Sequence, residues 1–143
     1  MNARPDLVTT DLSLQLVVPG GPALPVSAGF RYDSADPYAV HVGFRTGEDE
    51  VVEWTFARQL LADGVSHPVG EGDVQVWPSA EDGDHPVSLS LSSPSGSALF
   101  EMPLGGLVEF LTRTYTAVPT GSESDFVDLD AELALLVWTD PQG

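Results

Sequence analysis

Apolar and polar residues alternate along most of the chain, and the alternation predicts strands. Leu12, Leu14, Leu16 and Val18 fall on one side of an extended segment, with Ser13, Gln15 and Val17 on the other. This is the period-two pattern of a half-buried strand. Pro19-Gly20-Gly21-Pro22 ends it in a turn. A second strand is expected over 26–32. Asp33-Ser34-Ala35-Asp36-Pro37 then reverses the chain, because proline has no N–H for a ladder and restricts the residue before it. A third strand over 38–45 sets Val40, Val42 and Phe44 on one face, and a fourth over 51–56 answers with Val52, Trp54 and Phe56. Thr46-Gly47-Glu48-Asp49-Glu50 joins these two as a hairpin with an acidic tip. Phe30, Phe44, Trp54 and Phe56 are expected in the core, and Tyr38 and Trp77 outside it.

The period then lengthens. Thr55 is placed to cap a helix over 56–63, and Gly64 to stop it in the left-handed conformation. Strands return over 72–77, 86–92 and 97–102, separated by Glu81-Asp82-Gly83-Asp84 and by the turn Ser93-Pro94-Ser95-Gly96. In the middle strand Val87, Leu89 and Leu91 alternate with Ser88, Ser90 and Ser92, so the serine face is expected to be wet. Pro103 suits the first turn of a helix whose apolar positions are Leu104, Leu107, Val108, Leu111 and Tyr115. Val118-Pro119-Thr120-Gly121 breaks it. Asp128 can cap a last helix, with Asp130 and Glu132 in the first turn, where the macrodipole favours acids. Leu129, Leu133 and Leu136 form its stripe, while Leu135, Val137 and Trp138 lie off it. That surplus makes Leu133, Leu136 and Trp138 candidates for contact with a second chain.

Strands and helices are therefore segregated: four strands and a helix, three strands and a helix, then a terminal helix. This favours an α+β fold, an antiparallel barrel-like β-rich sheet with two to three helices. The chain is expected to form one domain over 1–143, with its core over 7–138 and frayed ends at 1–6 and 139–143.

Charge narrows the partners. Among 143 residues are five arginines, no lysine and 22 acidic residues, a net charge of −17. Such a field repels nucleic acids and anionic lipid surfaces, whose binding rests largely on Lys and Arg. No apolar run approaches the roughly 20 residues of a membrane-spanning helix, and the first residues carry no secretory h-region. The absence of cysteine fits a reducing cytoplasm and removes thiolate metal sites.

Catalytic patterns do not emerge. His41, His67 and His85 are isolated from one another and lack paired ligand spacing. Asp125, Asp128, Asp130 and Glu132 fail the calcium-loop pattern, because Leu133 stands where glycine is required. Helix capping accounts for them. There is no G-x-S-x-G elbow and no phosphate loop. With 22 acids, carboxylate pairs arise by chance, so an enzyme acting on cell-wall material through such a pair has no specific support. The sequence reads as non-enzymatic, with no metal and no cofactor. Arg31, His41 and the acidic hairpin tip are the candidate recognition features outside the terminal helix.

The ordered landmarks resemble one known family. They are Arg31-Tyr32-Asp33, Ala35-Asp36-Pro37-Tyr38-Ala39-Val40, Trp54 with Phe56-Ala57-Arg58, and Leu60-Leu61. Gly72-Asp73-Val74, Val76-Trp77-Pro78, Leu91-Ser92-Ser93-Pro94, Phe110-Leu111, Arg113-Thr114, Val118-Pro119 and Asp128-Leu129-Asp130 follow in order. Together they resemble the SsgA-like family of actinobacterial sporulation and cell-division proteins over roughly 12–136. The tryptophan-containing pieces and the Ser-Ser-Pro turn look most like its SsgB branch. Gln59, Tyr115 and Thr120 depart from the usual pattern. The resemblance implies a whirly-like fold and a homo-oligomer, expected to be a trimer. It also implies a cytoplasmic role at the division septum, through recruitment of the tubulin-like protein FtsZ or contact with another SsgA-like protein. The whirly-like fold raises a rival expectation, single-stranded nucleic-acid binding, which the charge of −17 opposes.

Overall fold

The computed structural model describes residues 7–79, 85–94 and 96–123. β1 (Leu7–Leu16), β2 (Leu24–Asp33), β3 (Ala39–Arg45) and β4 (Val51–Ala57) form an antiparallel meander that leads into α1 (Arg58–Gly64). β5 (Val69–Glu71), β6 (Val74–Pro78), β7 (Val87–Ser93) and β8 (Gly96–Met102) form a second meander that leads into α2 (Leu104–Ala117). The strands join in one antiparallel sheet of order β4-β3-β2-β1-β8-β7-β6-β5, curled into a half-barrel with the two helices.

The seam between the meanders is short. β1 and β8 pair only at Gln15–Glu101 and Leu16–Phe100, extended by the Val17 N–H donating to the Leu99 carbonyl at 2.8 Å. Core packing closes the curl. The Phe44 and Phe100 rings stack with centroids 4.8 Å apart, although two strands lie between theirs in the sheet. α2 crosses the same face, setting Phe110 edge-on to Phe30 at 5.6 Å. Each fully buried phenylalanine contributes about 1.5–3 kcal/mol.

Alternation predicted the strands well because each has one face on this core. Leu12, Leu14, Phe30, Val40, Val42 and Phe56 are all buried. Several expectations change. Among the described residues the element order is four strands and a helix, twice, because β5 adds a strand of only three residues around Gly70, too short to carry a period. α1 begins at Arg58 with Ala57 as an uncapped N-cap, so Thr55 belongs to β4 and caps nothing. Gly64 does not adopt a left-handed φ; its missing Cβ admits Val76 instead. Val52 is 43% and Val108 39% exposed, while Phe110 takes the buried position on α2.

The serine face of β7 is also drier than expected. Ser88 is buried, its hydroxyl 2.8 Å from that of Ser79. Tyr38 is exposed as expected, and Trp77 is half-buried. The predicted terminal helix, with Leu133, Leu136 and Trp138, lies outside the described residues, as do the expected frayed ends.

Candidate functional site

In-register pairing of β1 to β4 stacks odd-numbered residues into rows across the outer face. One row is Thr9, Arg31, His41 and Thr55; the next is Asp11, Gly29, Gly43 and Glu53. All of these but Thr55 line an open trough of about 590 Å³. The structure thus sets Arg31 and His41 directly opposite each other on β2 and β3. The floor is bare because two glycines meet there. A Cβ on Gly43 would come within 3.0 Å of the Val51 side chain, and one on Gly29 within 3.3 Å of the Asp11 carboxylate.

His41 is held at both ring nitrogens. Nδ1 lies 3.0 Å from the Thr55 hydroxyl, and Nε2 lies 3.3 Å from Asp36 Oδ2. A carboxylate only accepts, so in the neutral ring Nε2–H donates to Asp36 and Nδ1 accepts from Thr55. Hydroxyl, imidazole and carboxylate follow the order of a nucleophilic triad. That chemistry needs a sheltered carboxylate and donors facing the developing oxyanion. The Asp36 side chain is 57% exposed, so water screens the pair. The trio acts as a cross-strand network that fixes the imidazole on the trough wall. Arg31, Asp11 and Glu53 all line the trough, which therefore offers both signs of charge to a polar partner.

Pattern reading missed a second constellation. Arg58 is 1% exposed and is among the largest fully buried side chains. Its guanidinium lies 3.9 Å from the Tyr115 ring centroid and 5.0 Å from that of Tyr32. Nη1 donates to the carbonyls of Thr114 and Val118 at 3.0 and 2.8 Å. Nη2 donates to Glu123 at 2.9 Å. The Thr114 carbonyl also accepts from the Val118 N–H that closes α2 at 2.8 Å, so Arg58 ties the last turn of α2 to the residue that follows it. The signal in the sequence was the trio Tyr32, Arg58 and Tyr115, but nothing in their spacing shows convergence.

The electrostatics follow from this cation. Burial pushes the Tyr32 hydroxyl up to about 12, against the opposing pull of Arg58, while that hydroxyl donates to the Pro37 carbonyl. Burial likewise raises Tyr115, again opposed by Arg58. A hydrogen bond from its own backbone N–H, followed by those from Arg58 and the Gly121 N–H, holds the Glu123 carboxyl below its ordinary range despite some burial. A carboxylate with a lowered folded pKa stabilises above its unfolded value and ceases to as pH falls through the folded one. The stability advantage of the native chain over Glu123→Gln is therefore expected above about pH 4.5. It should vanish on further acidification, as read from paired melting curves. An advantage unchanged down to pH 2 would refute the pairing.

His67 and His85 line one cleft between the α1–β5 connection and the end of β6. His85 Nδ1 lies 3.0 Å from the Pro86 carbonyl. His41 stands apart on the outer face.

The family profile described as Streptomyces sporulation and cell division protein, SsgA, matches residues 26–123. Sporulation-specific cell division protein SsgB of Frankia casuarinae is 65% identical over 142 residues, 99% of each chain. That of Streptomyces coelicolor is 55% identical over 127 residues, 89% of this chain and 93% of its own. A solved SsgA-like sporulation-specific cell division protein from Thermobifida fusca superposes with a TM-score of 0.84 at 46% identity, covering 94% of this chain and 98% of that one. By profile, by identity and by fold, the chain belongs to the SsgA-like family of sporulation and cell-division proteins, on its SsgB branch.

Proposed function

We propose that this protein is a non-catalytic division adaptor that helps to position or recruit the tubulin-like protein FtsZ at future septum sites during sporulation. The observation that carries this reading is 65% identity over 99% of both chains to a sporulation-specific cell division protein. The outer-face trough supports it. It presents Arg31, His41, Asp11 and Glu53 on one open polar surface suited to another protein. The working unit is a homo-oligomer, expected to be a trimer, acting in the cytoplasm at the septum. Among the described residues no helix is long and apolar enough to cross a membrane.

Single-stranded nucleic-acid binding is the weaker alternative. It needs a basic groove with stacking aromatics. Arg58 is spent on Glu123 and α2, and Arg113 donates to the Thr9 carbonyl at 3.1 Å. Arg31 and Arg45 share their face with Asp11 and Glu53.

Co-sedimentation with polymers of FtsZ from the same organism tests the reading. The native chain is expected in the pellet at near-physiological salt, and Arg31→Ala with His41→Ala is expected to weaken retention about tenfold if the trough is a hot spot. No binding by the native chain would overturn direct recruitment. Tight, salt-sensitive binding to an oligonucleotide would favour the alternative.

A further inference from the structure

The sheet has two edges, and they are treated differently. β5 is three residues long and follows Pro68, which blunts that edge. β4 is seven residues, Val-Val-Glu-Trp-Thr-Phe-Ala, paired with β3 without a bulge. It holds no proline, glycine or lysine, and Glu53 is its single charged residue, so it is the less protected edge among the described residues. The bonded pairs can be assigned from its ends. The Thr46 N–H donates to the Glu50 carbonyl and the Arg58 N–H to the Tyr38 carbonyl. Bonded pairs alternate along an antiparallel ladder. Val52, Trp54 and Phe56 therefore bond to β3, and Val51, Glu53 and Thr55 aim their N–H and C=O groups away from the sheet.

Beside this edge, on the concave face, lies a groove of about 280 Å³ lined by Phe44, Val52, Trp54, Leu91, Ala98 and Phe100. On the outer face the same strand carries Glu53, and the turn before it carries Glu48, Asp49 and Glu50. Arg45, opposite Val51, is the cation alongside. A strand added here would place alternate side chains in the apolar groove and the intervening ones beside carboxylates.

We propose that the β4 edge is a β-augmentation site for an extended segment of a partner protein that alternates apolar and basic residues. The main chain of the partner would pair with Val51, Glu53 and Thr55. Its apolar residues would enter the groove at Val52 and Trp54, and its basic residues would face Glu53 and the acidic turn. Charge complementarity favours this occupant, since the chain carries −17. The proposal rests on the reading of the protein as an adaptor working through protein contacts.

The test uses the full chain and a fluorescein-labelled heptapeptide alternating valine and arginine, followed by anisotropy. A second peptide carries N-methyl groups on the residues whose N–H would meet β4, with charge and side chains otherwise kept. The native chain is expected to bind the first peptide and to bind the second at least tenfold more weakly. Glu53→Pro removes an outward N–H without touching the bonds to β3 and is expected to weaken binding at least tenfold. Should that variant fail to fold, Val52→Arg, at a 43%-exposed position, is expected to do the same. Equal binding of the methylated peptide, or unchanged binding by the folded variants, would overturn the proposal. So would a loss of assembly mass in Glu53→Pro, which would assign the edge to a second copy. A gain in peptide affinity on truncation after Glu123 would assign it to the chain's own C-terminal segment, and also overturn it. Peptide binding without FtsZ co-sedimentation would sustain the edge site and defeat FtsZ recruitment. FtsZ retention by Glu53→Pro with normal affinity would leave the adaptor standing and place its contact elsewhere.

Discussion

Arg58→Ala is expected to destabilise the protein by about 4 kcal/mol, a fall of about 10 °C or more in Tm for a domain of this size. Three losses act together. The guanidinium leaves a cavity between the Tyr32 and Tyr115 rings. The Val118 carbonyl loses its donor in a buried setting, which costs about 1–3 kcal/mol for an unsatisfied group, and the Thr114 carbonyl is left with the Val118 N–H alone. Glu123 loses its cation. Arg58→Lys separates these contributions. It keeps the charge but not the planar fork that reaches two carbonyls and a carboxylate at once, so an intermediate loss is expected. Thermal melts of both variants check this. A melt of Arg58→Ala within 2 °C of the native chain would show that α2 and the segment to Glu123 are held by other contacts.

The second large effect has an unusual sign. In a helix, glycine to alanine normally stabilises, by about 0.5–1 kcal/mol. Gly64→Ala is expected to destabilise by about 2–3 kcal/mol instead. A Cβ at this position would lie 2.6 Å from Val76 Cβ and 3.3 Å from the Val76 backbone carbon. Val76 is fully buried on β6, and its β-branched side chain cannot swing aside. α1 would have to lift from the sheet. Val76→Ala in the same chain should recover part of the loss, so the two substitutions should be non-additive. Additive destabilisation, or a rise in Tm for Gly64→Ala alone, would show that the helix does not rest on β6 at this point.

These residues also mark where sequence reading stopped. Alternation located seven of the eight strands because each has one face on the core, as at Leu12, Leu14, Val40 and Val42. It overstated Val52 because periodicity reports which face a residue takes, while burial depends on whether anything covers that face. Val52 lies where the groove beside β4 is open. Gly64 was legible as a needed glycine for the wrong reason, since a helix stop and a close approach of two elements leave the same letter. The candidate site was half legible. Arg31 and His41 were visible as polar residues on strands. Their meeting with Asp11 and Glu53 depended on the register of four strands.

The sequence alone determined the segregated α+β order, the core alternation, the acidic field and membership of a sporulation and cell-division family. These are local or additive properties. Period, composition and ordered landmarks need no knowledge of what touches what. The tertiary structure alone decided which strands form the edges of the sheet among the described residues, how the trough assembles and why Arg58 is buried. Each of those depends on residues distant in the chain, 56 to 65 positions apart for the Arg58 hydrogen bonds. Such convergence is set by the curl of the sheet and the packing of helices across it.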